Sequence, residues 1–278
     1  MLYLLLAIAS SAMVSIFMRL SKKYVSANEG MLAVNYLACL AVSVYYTGIT
    51  NLFPLKDGVA LTAGLGLING FCYLGSFVLL NLNIQKNGVV LSSTFMKLGL
   101  LVPMVVSICL FGEIPGPLQV IGFVVAIAAI ILINFEKEQT SMQFKTGLIL
   151  LLLVGGSGDG MSKVFEELGN PALSPQFLLY TFATALLLCL CLTVIRKQRL
   201  GLAEVLFGIL IGIPNYFSAR FLLQSLNALP AIIVYPTYSV ATIVVVSLAG
   251  VCFFRERLGR RQKVAILAIL AALVLLNL

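Results

Sequence analysis

The sequence predicts an all-α polytopic membrane protein: ten transmembrane helices arranged as two inverted five-helix repeats. Three observations predict it. The 278-residue chain is 61% hydrophobic and 10% charged, whereas a soluble domain carries roughly 45–50% and about 25%. Its apolar residues fall into ten runs, each near the ~20 residues a helix needs to cross roughly 30 Å of hydrocarbon. A segment near residue 110 recurs at the C-terminus. No soluble fold of this size hides so much apolar surface.

Charges, prolines and glycines punctuate the runs at approximately 2–20, 30–50, 58–82, 88–111, 116–135, 146–166, 173–195, 202–226, 230–253 and 262–278. Span 1 has no basic stretch before it and ends in Arg19, Lys22 and Lys23, the reverse of a signal peptide's polarity, so it reads as a mature span. Its Ser10, Ser11 and Ser15 suit close packing or a cavity wall. Gly64, Gly66, Gly70 and Gly75 interrupt span 3. Span 4 follows a short polar loop near 83–87 and contains Ser92, Ser93, Thr94, Lys97 and Pro103. Span 6 holds the run Gly155-Gly-Ser-Gly-Asp-Gly160. Gly208, Gly212 and Pro214 interrupt span 8, and Pro230 and Pro236 mark span 9. Interruptions in corresponding spans point either to helices that bend around a binding region or to close packing. With loops of a few residues, no soluble domain is expected.

The absence of His removes His-based metal sites and His-centred acid–base chemistry. The six cysteines lie in apolar stretches without CxxC spacing, which argues against a disulfide or metal framework. No nucleophile–base pair, paired carboxylates within one span or nucleotide-binding loop is present, so neither an enzyme nor an ATP-driven pump is expected, and no cofactor. The net charge of +8 suits anionic lipid and not nucleic acid. Fourteen of the 18 Lys and Arg residues fall in loops 1–2, 3–4, 5–6, 7–8 and 9–10; Lys56 and Lys163 lie on the other side, and Lys97 and Arg220 lie inside spans. The positive-inside rule places the basic loops in the cytoplasm and both termini outside.

Residues 110–134 and 253–277 are identical at eight of 25 positions at an offset of 143, including Glu113/Glu256, Gly116/Gly259, Gln119/Gln262 and Asn134/Asn277. Arg19 matches Lys163 at an offset of 144, and Asn69 matches Asn215 at 146. The repeats are therefore 1–140 and 141–278. Each has an odd number of spans, so the two lie in opposite orientations, the layout of secondary transporters whose substrate site lies near the midplane between repeats.

Two five-helix units closing on Phe111-Gly-Glu-Ile-Pro-Gly-Pro-Leu-Gln119 and Phe254-Arg-Glu-Arg-Leu-Gly-Arg-Arg-Gln262 resemble the ten-helix, EamA-domain type of the drug/metabolite transporter superfamily. Leu226-Asn-Ala-Leu-Pro230, leading into Val234-Tyr-Pro236, is similar to the start of that family's ninth helix. The resemblance implies a secondary transporter, an exporter or exchanger of small organic metabolites working by alternating access in a bacterial inner membrane as a monomer or homodimer, with spans 4 and 9 lining the cavity. It also implies cytoplasmic termini, against the charge bias. A flippase for an anionic lipid-linked headgroup and a multidrug exporter are the alternatives.

Ionisable residues inside a bilayer are costly and mark function. Lys97 and Arg220 are expected to hold a substrate carboxylate or phosphate, so anionic or zwitterionic solutes such as amino acids are favoured. Asp159 is expected to carry a coupling proton. Asn69, Asn215, Ser93, Tyr235 and Tyr238 complete the expected substrate site. Plainer readings compete: Arg220 snorkelling to the interface, Asp159 bridged to Lys97 or Lys163, and Glu113 and Glu256 as interfacial residues paired with neighbouring Arg or Lys.

Overall fold

The computed structural model describes residues 1–55, 57–134, 144–197, 200–254 and 260–277. Loop 255–259, with Glu256, and the basic residues Lys56, Lys137 and Arg199 lie outside the described residues. Among those described there are ten α-helices and no strands: α1 (Leu2–Ser21), α2 (Asn28–Thr47), α3 (Val59–Leu98), α4 (Leu101–Phe111), α5 (Pro117–Asn134), α6 (Lys145–Leu168), α7 (Ser174–Ile195), α8 (Leu202–Leu226), α9 (Ala231–Phe254) and α10 (Arg260–Leu276). Eight helical stretches among them are long and apolar enough to cross a membrane, and Pro117–Leu132 and Lys263–Leu276 are shorter apolar helices. The chain is an integral membrane protein.

One boundary differs from the sequence reading. The segment read as a loop at 83–87, with Lys86, is helical, and α3 runs unbroken to Leu98. Its polar side chains find partners without leaving the helix. Asn83 Nδ2 donates to Leu79 O at 2.8 Å, and Asn87 Nδ2 to Asn83 Oδ1 at 3.0 Å. The chain breaks instead at Gly99-Leu100, just before α4.

The helices form two compact units, and these do not follow the sequence halves. The first unit holds residues 1–74 and 164–227; the second holds 75–163 and 228–278. Both α3 and α6 contribute to each.

In the first unit α2 packs on α7 and α8, and α1 on α8. Glycine pairs set the crossings. A Cβ on Gly66 would lie 2.8 Å from Tyr180 Cβ, and one on Gly70 2.7 Å from Thr181 O, so α3 lies directly on α7. A Cβ on Gly208 would lie 2.6 Å from Val34 Cβ, and one on Gly212 2.7 Å from Ala38 Cβ, so α8 lies directly on α2. Both pairs are small-xxx-small faces of the kind that lets membrane helices approach closely. Neither α3 nor α8 is broken at these glycines. At one end of this unit Glu204 accepts from the backbone N–H groups of Ser26 (3.0 Å), Ala27 (3.2 Å) and Gly201 (3.0 Å), while Arg196 is ion-paired with Glu29. The α1–α2 and α7–α8 connections therefore meet.

In the second unit α10 packs on α5 and α9, and α9 on α4 and α5. Ala126, Ala129, Ile130, Val240, Ile269 and Ala272 form its buried core with Leu100 and Met104. Asn87 Nδ2 donates to Phe144 O (3.1 Å), Phe144 N donates to Asn87 Oδ1 (2.9 Å), and Asn83 Nδ2 donates to Gly147 O (2.9 Å). This amide clamp ties α3 to the start of α6.

Candidate functional site

The expected site residues divide between the two units. Lys97, Ser93, Asp159, Tyr235 and Tyr238 belong to the second; Asn69, Asn215 and Arg220 belong to the first.

In the second unit, the glycine-rich run of α6 brings Asp159 to Lys97. A Cβ on Gly99 would lie 3.0 Å from Gly156 N, and one on Gly156 2.7 Å from Val102 Cβ, so α6 touches the α3–α4 junction backbone to backbone. Asp159 follows Gly156 by less than one helical turn. Lys97 precedes the junction by two residues, and the two charges lie within Coulombic reach. Fully buried Tyr235 donates its hydroxyl to the Asp159 carbonyl at 2.6 Å, fixing this turn of α6 to α9. Tyr238 and Ser93 are half-buried.

One turn beyond Asp159, Lys163 is 2% exposed and pairs with Glu113 Oε1 at 2.7 Å; its ammonium also lies 5.8 Å from the Phe111 ring centroid. A bridge from Asp159 to Lys163, one of the plainer readings, would share an ammonium that is already paired with Glu113. Helix α4 ends on Gly112 in the left-handed conformation (φ 68°), which turns the chain so that Glu113 reaches both Lys163 and the first turn of α9, accepting from Ile232 N at 3.3 Å. Partial burial pushes the Glu113 carboxyl upward. Lys163 and the Ala231 and Ile232 N–H groups outweigh that and hold it below the usual glutamate range.

In the first unit, Asn69 Nδ2 donates to Thr181 Oγ1 at 3.3 Å, and Asn215 Nδ2 donates to Asn35 Oδ1 at 3.2 Å. Asn69 Oδ1 is buried with no hydrogen-bond partner among the described residues. The Arg220 guanidinium lies 3.9 Å from the Tyr46 ring centroid, and its Nη1 donates to Tyr216 Oη at 3.1 Å. The two tyrosines stack on each other, with centroids 5.8 Å apart.

Sequence reasoning did not single out Glu29, Glu204, Asn83, Asn87 or Gln224. The first two begin α2 and α8, where an acidic residue in the first turn is a readable capping signal. The amides of α3 lacked such a signal, because the partners that tie them to α6 are backbone groups 57 and 64 residues away.

No family model matches the chain. An uncharacterized protein of Haemophilus influenzae is 23% identical over 284 residues, covering 97% of this chain and 95% of the relative. A solved crystal structure superimposes with a TM-score of 0.74 at 14% identity, covering 99% of this chain and 94% of that one. This last likeness shows a shared fold.

Proposed function

We propose that the protein is a gradient-driven secondary transporter of small organic solutes, of the ten-helix drug/metabolite transporter type, working by alternating access in a bacterial inner membrane. The observation that carries this reading is the opposition of Lys97 and Asp159 across a glycine contact inside apolar helices. Each charge is expensive to keep there, and such residues mark substrate or proton pathways. Their opposition also suggests the coupling chemistry. A substrate carboxylate that takes Lys97 removes the counter-charge from Asp159, which then favours protonation.

Recurring contacts support two inverted repeats. Asn35 and Thr181 are separated by 146 residues, as are Asn69 and Asn215. The bond from Asn69 to Thr181 thus has its counterpart in the bond from Asn215 to Asn35. The glycine pairs Gly66/Gly70 and Gly208/Gly212 recur at 142 residues, against faces of α7 and α2 that themselves correspond.

The test is uptake of a labelled metabolite panel into proteoliposomes, with and without a proton gradient. Gradient-dependent accumulation by the wild type is expected. Asp159→Asn is expected to abolish accumulation while exchange across the membrane continues. Full coupling in that variant removes Asp159 from the mechanism, and absence of any uptake across the panel counts against transport.

A further inference from the structure

The connection between α2 and α3 presents apolar side chains where a water-facing loop would present polar ones. Ile49 and Phe53 are each 79% exposed, and Leu55 is fully exposed. The outer face of α2 leads into them. Leu37, Ala41 and Tyr45 are exposed at four-residue spacing, which makes one stripe along the helix. Ile49 follows at the same spacing, just past the end of α2 at Thr47. The 20 residues of α2 rise about 30 Å, the thickness of the hydrocarbon core. Ile49, Phe53 and Leu55 therefore lie at the level where hydrocarbon gives way to headgroups.

The main chain of this connection is also provided with partners. Gln176 Nε2 donates to Asn51 O at 3.1 Å, and Tyr180 Oη donates to Leu52 O at 2.8 Å. Asn51 N donates to Gly48 O at 3.0 Å, and Pro54 has no N–H to satisfy. In water such groups need no protein partner, whereas a backbone that leaves water must have them. Tyr180 also stacks on Phe53, with ring centroids 6.0 Å apart. The first two turns of α7 thus hold the loop's carbonyls inward and leave its apolar side chains outward. Both segments belong to the first unit.

We infer that this connection is an interfacial anchor: Ile49, Phe53 and Leu55 insert into the bilayer at the boundary between headgroups and acyl chains. Continuity with the exposed apolar stripe of a membrane-spanning helix selects lipid as the occupant of this face, over a second copy of the chain or a soluble partner. Aromatic rings favour that depth, and Tyr45 and Phe53 supply them. The inference does not depend on transport.

The experiment places one tryptophan in the full-length protein, which has none of its own, as Ile49→Trp or Leu55→Trp. Both positions are exposed, so neither change disturbs packing. Each variant is reconstituted in vesicles of phosphatidylcholine that is unbrominated, brominated on the acyl chain near the glycerol, or brominated near the chain end. Iodide, present on both sides of the membrane, reports access from water. Blue-shifted emission is expected, with little quenching by iodide and stronger quenching by the shallow bromines than by the deep ones. That pattern places the ring roughly 5–10 Å into the boundary region. Quenching by iodide without quenching by bromine, at either position, shows a water-facing loop and overturns the inference. Blue-shifted emission that neither quencher reaches shows a face covered by protein, a second copy included, and overturns it as well. Stronger quenching by the deep bromines removes the interfacial depth and the anchor with it.

Discussion

The Lys163–Glu113 pair illustrates what a single buried charge demands of its surroundings. An ammonium at 2% exposure needs a carboxylate, and the αL turn at Gly112 delivers one that also caps α9. Removing one partner of a buried pair leaves an uncompensated charge and costs about 3–5 kcal/mol. Glu113→Gln is therefore expected to lower the unfolding temperature in detergent markedly. The pH dependence has a definite sign. Because the folded carboxyl lies below its usual range, its contribution is complete above the unfolded value of about 4.3. It is lost as the pH falls through the folded value. The stability difference between wild type and Glu113→Gln should be full at neutral pH and shrink below about pH 4. A difference that is constant across the acid range refutes the role assigned to the ion pair.

At the scale of whole helices, close approach is set by where side chains are absent. A Cβ on Gly212 would meet Asn35 O and Ala38 Cβ, whereas one on Gly64 would meet nothing within 4 Å. Gly212→Ala is expected to destabilise by about 1–3 kcal/mol through overpacking. Gly64→Ala should be neutral or gain up to about 1 kcal/mol from helix propensity. Paired thermal unfolding curves check both, and equal effects would remove the packing argument. The same contrast explains what was legible in the sequence. Apolar run length marked the helices, and Asn69 and Asn215 stood out because both are polar in an apolar background. Gly64 and Gly66 look alike in a sequence, since only the neighbouring helix distinguishes them. The polar stretch Asn83 to Asn87 read as a loop for a related reason. Polarity signals a water-facing turn unless distant backbone groups satisfy it, and Phe144 and Gly147 are not near in sequence. Lys97 and Asp159 were visible as intramembrane charges, but their opposition depended on the Gly99–Gly156 contact. The Lys163–Glu113 pair depended on a turn that brings two segments 50 residues apart together.

For the molecule as a whole, contacts inside the first unit constrain topology. Glu204 bonded to Ser26 and Ala27, and Arg196 paired with Glu29, place the α1–α2 and α7–α8 connections at one end of that unit. Two connections at the same membrane face must be separated by an even number of crossings, and the chain between them contains the six helices α2 to α7. Both connections are basic, with Arg19, Lys22 and Lys23 in one and Arg196 and Lys197 in the other. The positive-inside rule predicts that they face the cytoplasm. Single cysteines placed at Lys22 and Leu200 in a cysteine-free background test this directly. Both positions are exposed, and neither supplies a bond that holds the two connections together. Protection of both from an impermeant thiol reagent in intact cells, with labelling after permeabilisation, is the expected result. Labelling of both in intact cells would reverse the orientation and keep the even count. Labelling of only one would contradict the shared face itself, and with it the six-crossing path from α2 to α7.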